Sequence, residues 1–217
     1  SYLIGRDPLA GEVLWDQMLR LDRHGRSGLF MMGLSAVDCA LWDLRGKHYG
    51  VPVYRLLGGP TRDAVSAYAS MLGFSLDPAR VRDRALEAAA QGFAAQKWFF
   101  RHGPGAGAEG QRKNIELVRT LREALGDHYP LMFDAVTGWD TEYAIRMARE
   151  LEVFRPTWLE EPLPPERLDG YALLAKAANV PLAAGEHLYT RWGVKPFLDA
   201  GILSFVQTDP DWAGGIT

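Results

Sequence analysis

The sequence predicts an α/β fold made of repeated βα units, and two observations carry that prediction. Six short apolar segments alternate with stretches of helical spacing and turn residues, and continuous apolar runs are typical of strands buried on both faces of a parallel sheet. The composition, 47% hydrophobic and 24% charged over 217 residues, is that of an ordinary globular domain. Such units form an open doubly wound sheet or a closed (β/α)₈ barrel, and length alone does not decide between them.

Composition also excludes several classes of protein. A formal net charge of −3 gives no basic surface for nucleic acid or anionic lipid. The single cysteine, Cys39, cannot form an internal disulfide. No apolar run approaches the roughly 18 residues that span a bilayer, and the first residues lack the pattern of a signal peptide. We therefore expect a cytoplasmic protein with no nucleic-acid and no membrane partner.

The βα units can be followed along the chain from about residue 65. We predict six strands, over Val65–Met71, Ala95–Phe100, Leu131–Asp134, Thr157–Glu160, Pro181–Gly185 and Leu203–Thr208. Between them, Asp77 and Asp140 or Thr141 are typical helix N-caps, and Gly92 and Gly126 are typical helix ends. A further helix is marked by Tyr171, Leu174 and Ala178, and a shorter one is predicted over Pro196–Ala200.

The first sixty residues follow another pattern. Leu34, Val37, Leu41 and Leu44 recur at helical spacing and predict one apolar helix face. Gly and Pro residues then interrupt the chain up to Pro60. We predict a helical part of a smaller capping domain over residues 1–62 and six βα units of a barrel over residues 63–217.

Three carboxylates end consecutive predicted strands. Asp134, Glu160 and Glu186 are spaced by 26 residues each, which is one βα unit. Because parallel strands point the same way, the three side chains are expected to converge at one rim, where barrel enzymes keep their active sites. Three oxygen ligands suit Mg²⁺. Each carboxylate alone could instead cap a helix or pair with an arginine, but the shared placement favours a metal site.

Basic residues belong to the second predicted strand and the loop after it. Lys97 lies within an apolar strand, so it either extends outward to solvent or carries its charge into the rim. Phe99 is two residues on and on the same face, where a second base is missing. Lys97 is therefore interpreted as a substrate contact more than as the proton abstractor. Arg101 and His102 could contact substrate or could simply be solvated loop residues.

Two further residues are candidates for catalysis. His187 directly follows Glu186, so it could donate a proton or hydrogen bond to substrate, or only orient Glu186. Asp209 follows the sixth predicted strand, 23 residues after Glu186. It could hold a histidine in one tautomer, or it could be a helix cap or loop anchor before Gly214.

A glycine-rich segment resembles a nucleotide-binding motif. Gly105, Gly107 and Gly110 match G-x-G-x-x-G between a predicted strand and a helix. The first glycine comes about five residues after the strand, however, and no acidic residue is well placed ~20 positions later. We interpret this segment as a flexible lid loop instead.

Several motifs resemble one enzyme family in order and spacing. The segments that are similar to the mandelate racemase branch of the enolase superfamily are Ser35–Lys47, Leu56–Gly59, Trp158–Pro162, Gly185–His187 and Gly214–Thr217. Within that branch, Lys97–Phe100 and Gly185–Gly193 most resemble acid-sugar dehydratases of the rhamnonate dehydratase type. The resemblance covers nearly the whole chain.

The resemblance implies a modified (β/α)₇β barrel with an α+β capping domain, and Mg²⁺ held by Asp134, Glu160 and Glu186. It implies abstraction of the proton α to a sugar-acid carboxylate, a metal-stabilised enediolate, and loss of the β-hydroxyl to give a 2-keto-3-deoxy acid. Such an enzyme would act in carbohydrate catabolism on a small-molecule sugar acid. We expect a homo-oligomer for the full-length form.

The sequence departs from the family pattern at three points. Phe99 breaks the family's lysine pair, which favours a histidine base and argues against two-base racemisation. That histidine lies on the family's seventh strand, pairs with the residue matching Asp209, and is expected beyond Thr217. The capping domain begins midway. We therefore expect an internal fragment that alone is inactive; a racemase or epimerase, or a non-catalytic remnant, are the alternatives.

Overall fold

The computed structural model describes residues 2–217. Within these residues the chain divides into two compact units. The first contains the chain up to Val65 together with Gly185–Pro196 and Gln207–Thr217, and the second contains Ser66–Ala184 and Phe197–Val206. The predicted division between residues 62 and 63 stays a prediction.

The second unit is organised around a parallel sheet. Within residues 2–217 this sheet has six strands in sequential order, namely β1 (Ala69–Ser70), β2 (Gln96–Phe99), β3 (Leu131–Asp134), β4 (Trp158–Glu160), β5 (Leu182–Ala184) and β6 (Phe205–Val206). Every strand lies within a segment predicted from sequence. Neighbouring strands that follow one another in sequence and run parallel require a crossover connection between each pair. The prediction of repeated βα units is therefore confirmed.

Helices form those crossovers. They are α4 (Pro78–Ala90), α5 (Gly107–Leu125), α6 (Thr141–Leu151), α7 (Leu168–Ala177) and α8 (Thr190–Ala200). The predicted caps are confirmed where the carboxylate of Asp77 accepts from the Arg80 backbone N–H and that of Asp140 accepts from the Tyr143 N–H. These side chains satisfy donors that the first helical turn leaves unpaired.

Helix α8 is longer than predicted. It begins at Thr190, so Pro196 lies inside the helix rather than at its start. The sequence-based start assumed that a proline marks the first turn, where its missing N–H has no cost. The structure shows instead a proline in the helix interior, where one backbone hydrogen bond is not made.

The glycine-rich segment is not a free lid loop. A 3₁₀ helix covers Pro104–Ala106, and α5 begins directly at Gly107. Gly110 is buried, and a Cβ at this position would come within 2.9 Å of the His102 Cβ. The glycine here permits close packing against the preceding loop, so the lid interpretation was wrong.

The first unit contains α1 (Gly11–Leu21), α2 (Gly28–Tyr49) and the short α3 (Val53–Leu56). Its apolar core is formed by the side chains of Trp15, Met18, Leu19, Met31 and Leu34. The predicted apolar face of α2 is only partly correct, because Leu44 is 40% exposed. Ser35 and Asp38 are fully buried instead, at 0% exposure each.

Those two buried polar residues hold the last residues of the chain. The Ser35 hydroxyl accepts from the Gly214 N–H at 2.9 Å. Asp38 Oδ2 accepts from the N–H groups of Ile216 and Thr217 at 2.7 and 2.9 Å, and Asp38 Oδ1 accepts from the Thr217 hydroxyl at 2.6 Å. A Cβ on Gly215 would lie 2.2 Å from Asp38 Oδ2, so this approach requires glycine.

Among residues 2–217, none of the helices combines the length and the apolar character that crossing a membrane would need.

Candidate active site

Three charged side chains meet where the carboxylates that end β3 and β4 contact Lys97, which lies within β2. Asp134 and Glu160 are partners in the register of β3 and β4, and Asp134 also pairs with Phe99 on β2. The Lys97 Nζ lies 2.5 Å from Glu160 Oε1 and 3.3 Å from Asp134 Oδ2. The parallel register therefore brings together three of the residues selected from the sequence.

Each of the four carboxylate oxygens has a donor. Asp134 Oδ1 accepts from the Val136 backbone N–H at 2.8 Å, and Glu160 Oε2 accepts from the Trp158 indole N–H at 2.8 Å. The other two oxygens face the Lys97 ammonium. Each carboxylate thus has one oxygen on a neutral donor of its own strand or loop and one oxygen directed toward a shared positive charge.

Burial shifts the pKa values of the charged side chains in this cluster. The side chains of Lys97, Asp134 and Glu160 are 9%, 8% and 0% exposed. Burial raises the pKa of Asp134 to about 7, and the negative charge of Glu160 acts in the same direction. Burial by itself would lower the pKa of Lys97, but the hydrogen bond and charge of Glu160, together with Asp134, raise it above the usual value.

Lys97 points inward rather than to solvent. Its ammonium lies 5.2 Å from the centre of the Phe99 ring and 5.9 Å from that of Tyr68. Both rings lie within the range of a cation–π contact. The sequence left open whether Lys97 extends outward, and the structure shows that it does not.

Glu186 and His187 lie just beyond β5, in the first unit. His187 Nδ1 is 3.8 Å from Glu186 Oε1, and the imidazole meets the edge of the Trp212 ring at a centroid distance of 5.3 Å. The two side chains are 44% (Glu186) and 35% (His187) exposed. That Glu186 joins Asp134 and Glu160 around one ion stays a prediction.

Asp209 opens a tight turn. Its Oδ1 accepts from the Asp211 N–H at 2.8 Å, and its carbonyl accepts from the N–H groups of Trp212 and Ala213. These contacts correspond to the loop-anchor interpretation. The role as an orienting carboxylate for a histidine stays a prediction.

Arg101 and His102 occupy the loop after β2. Arg101 is exposed and donates to the Phe74 carbonyl at 3.4 Å. The His102 carbonyl accepts from the Asn114 amide at 2.8 Å and from the Trp139 indole at 3.0 Å. Buried donors therefore fix the main chain of this loop, and substrate contact by the two side chains stays a prediction.

Sequence reasoning missed Trp158 as part of the site. Trp158 and Glu160 are two residues apart on β4, so their side chains share a face. That spacing, in a motif already singled out, is the signal that could have found it. The contact itself depends on the rotamers of both side chains, which the sequence does not show.

The donor set fits a hard divalent cation. Asp134 and Glu160 offer only oxygen, are buried side by side, and already face a positively charged group. Adjacent buried carboxylates are stable only with such compensation. Mg²⁺ is bound through a small number of carboxylates, so these residues and, by prediction, Glu186 would hold it.

Comparison with known proteins identifies the family. The model for the enolase C-terminal domain-like family matches residues 80–217, and that for the mandelate racemase/muconate lactonizing enzyme N-terminal domain matches residues 1–58. The chain belongs to the mandelate racemase branch of the enolase superfamily. The predicted family is thereby confirmed, and so is the fold class, a part of the superfamily's barrel.

Individual relatives include dehydratases and a racemase. The chain is 40% identical over 209 residues to an L-rhamnonate dehydratase of Saccharopolyspora erythraea, covering 95% of the chain and 51% of that protein. The L-rhamnonate dehydratase structure from Gibberella zeae matches with TM-score 0.87 and 34% identity, over 99% of the chain and 55% of the other. A racemase from Streptomyces coelicolor A3(2) with bound magnesium matches with TM-score 0.87 and 35% identity, over 97% of the chain and 57% of the other.

The chain spans about half the length of the curated relatives it matches.

Proposed function

We propose that the protein dehydrates a sugar acid with the help of Mg²⁺, giving a 2-keto-3-deoxy acid. The observation that carries this proposal is the contact of Lys97, within β2, with Asp134 and Glu160 at the carboxyl ends of β3 and β4. Relatives named L-rhamnonate dehydratase support the same reaction class. Because the chain spans about half of those relatives, the activity is proposed for the full-length protein that contains it.

Asp134 and Glu160, the buried acid pair, would provide ligands for the metal ion. Asp134 and Glu160, with Glu186, would hold Mg²⁺, which when bound places positive charge beside the substrate carboxylate and makes the α-proton more acidic. The two strands fix the acid pair in register, so the ligands need little reorganisation.

Lys97 would bind the substrate carboxylate. Its ammonium is buried beside the acid pair, so a carboxylate bound there would meet two positive charges at one place. The Phe99 ring occupies the position of a second base on the same strand face. Lys97 thus would orient substrate, and the α-proton would go to a histidine base, as the family resemblance implies.

The remaining roles concern the leaving group and the base. His187 would protonate the departing β-hydroxyl, so that one water is lost for each α-proton removed. Asp209 would orient the histidine base, while Arg101 and His102 would contact substrate hydroxyls. A cytoplasmic location and a homo-oligomeric state remain predictions from the sequence.

The test is a substrate screen on the full-length protein with Mg²⁺ against aldonic and aldaric acids, with detection of 2-keto-3-deoxy products. We expect product only with Mg²⁺, and no product after chelation. Solvent deuterium incorporation at the α-carbon without loss of water would favour the racemase or epimerase alternative. Absence of both product and exchange, together with no Mg²⁺ binding, would favour a non-catalytic protein.

A further inference from the structure

Glu160 is held by two donors of different kinds. The Lys97 ammonium contacts Oε1, whereas the Trp158 indole N–H contacts Oε2 at 2.8 Å. We propose that Trp158 is a positioning residue that sets the orientation of the Glu160 carboxylate for a divalent cation. This inference rests on the metal site of the proposed function.

A glutamate carboxylate needs such a constraint. Its last torsion is broad and roughly two-fold, so packing alone does not choose which way the oxygens face. The Trp158 N–H binds one oxygen and thereby leaves the other, Oε1, on the Lys97 ammonium, which Asp134 Oδ2 also contacts. A carboxylate turned away from Asp134 would share no ion with it.

The indole ring is itself held in place. It meets the Tyr68 ring edge-on at a centroid distance of 5.9 Å and the Phe205 ring at 4.8 Å. Aromatic packing on this scale restricts ring rotation. The donor is therefore fixed before any ligand binds, and outer partners of this kind commonly govern metal affinity.

The same sheet contains a matched control. The Trp98 indole N–H donates to Gln96 Oε1 at 3.0 Å, again two residues away on the same strand. Gln96 is neutral, and its amide donates to the Ala85 carbonyl at 2.7 Å. Trp98 thus has the same residue type, spacing and donor as Trp158, but it acts on no carboxylate.

The experiment compares Trp158→Phe with Trp98→Phe in the full-length protein, using calorimetric titration with Mg²⁺ and with Mn²⁺. We expect Trp158→Phe to weaken metal binding, with a dissociation constant raised by roughly 10- to 100-fold. Trp98→Phe should leave it within about twofold, even if thermal unfolding shows a loss of stability. A purely structural role for Trp158 would affect unfolding and leave the dissociation constant unchanged.

Two outcomes would overturn the inference in distinguishable ways. If the unsubstituted protein binds neither ion, the metal site of the proposed function fails and the inference fails with it. If it binds and Trp158→Phe binds equally well, only the role of Trp158 is wrong.

A second measurement does not depend on the variant folding. In protein labelled with ¹⁵N-indole tryptophan, titration with Mg²⁺ should shift the Trp158 N–H resonance and leave that of Trp98 in place. A Trp158 resonance that does not respond while the ion binds would overturn the proposal.

Discussion

Two buried carboxylate sites in this molecule differ in the groups that stabilise their negative charge. In the first unit, Asp38 accepts from two backbone N–H groups and one hydroxyl, all neutral. In the second unit, Asp134 and Glu160 lie next to each other and share a lysine ammonium. Both sites are almost inaccessible to water, so the difference lies in their partners.

The comparison distinguishes a structural acid, Asp38, from the acid pair that is proposed to bind metal. Several fixed hydrogen bonds stabilise a single buried anion without any cation, and two of the three donors to Asp38 are backbone N–H groups. Two adjacent anions repel each other and need a positive charge. When that charge is on a flexible side chain, another cation can compete for the same oxygens. We infer that Asp38 stabilises the fold, whereas Asp134 and Glu160 are suited to bind a metal ion.

The largest expected effect is that of Asp134→Asn in the full-length protein. Asp134 is a proposed ligand, so its loss should weaken metal affinity and lower kcat by about 10³-fold, which is more than the loss of an outer partner would do. The free energy of unfolding at neutral pH should not fall, because the substitution removes a buried charge beside another of the same sign. Metal titration, turnover and urea unfolding measure the three quantities. A variant that unfolds more easily while keeping its metal affinity would reverse the assignment.

The second prediction addresses the structural acid. Asp38→Ala removes the acceptor of the half-buried N–H groups of Ile216 and Thr217, which should cost about 2–3 kcal/mol of unfolding free energy. Metal affinity should stay within about twofold of that of the unsubstituted protein, since stranded amides carry no charge. Urea unfolding and calorimetric titration on one preparation provide the test. A large loss of metal affinity at full stability would contradict the comparison.

The sequence predicted one of these sites and missed the other for a physical reason. Asp134 and Glu160 end consecutive strands, and parallel strands place equivalent positions side by side. Asp38 lies on a helix face that was assigned from apolar periodicity, which selects Leu44 and ignores polar residues. Asp38 accepts hydrogen bonds from the main chain of residues 216 and 217, which are far away in sequence. Apolar periodicity within one helix gives no information about such long-range packing.

Further details of the candidate site depend on side-chain rotamers. The basic character of Lys97 was evident, but its contact with both acids follows from its inward rotamer. The same holds for Trp158, which the sequence places on the right face without showing its partner. The start of α8 was missed because proline is a statistical signal that tertiary packing can override.

The third prediction tests whether the lysine charge is exchangeable. Lys97→Met removes a positive charge 2.5 Å from Glu160 Oε1, so Mg²⁺ should bind about tenfold more tightly. The variant should lose stability without metal and regain it with metal, because binding to the folded state stabilises it. Thermal unfolding over a range of Mg²⁺ concentrations measures both effects. Lys47→Met, at an exposed lysine, is the control, and equal or weaker binding by Lys97→Met would show that Lys97 helps to hold the ligands.

The smallest effect is expected at Asp43, five residues after Asp38 on the same helix. This carboxylate forms an exposed pair with Lys47 at 2.6 Å on the same helix, and the two side chains are 61% and 77% exposed. Because water already solvates both charges, Asp43→Ala should cost about 0.5 kcal/mol or less, and the loss should shrink further in high salt. Urea unfolding of Asp43→Ala beside Asp38→Ala compares two aspartates on one helix that differ in burial and partners. If the two substitutions lower the free energy of unfolding equally, then the burial of Asp38 and its hydrogen bonds with backbone N–H groups would not explain the stability that Asp38 provides.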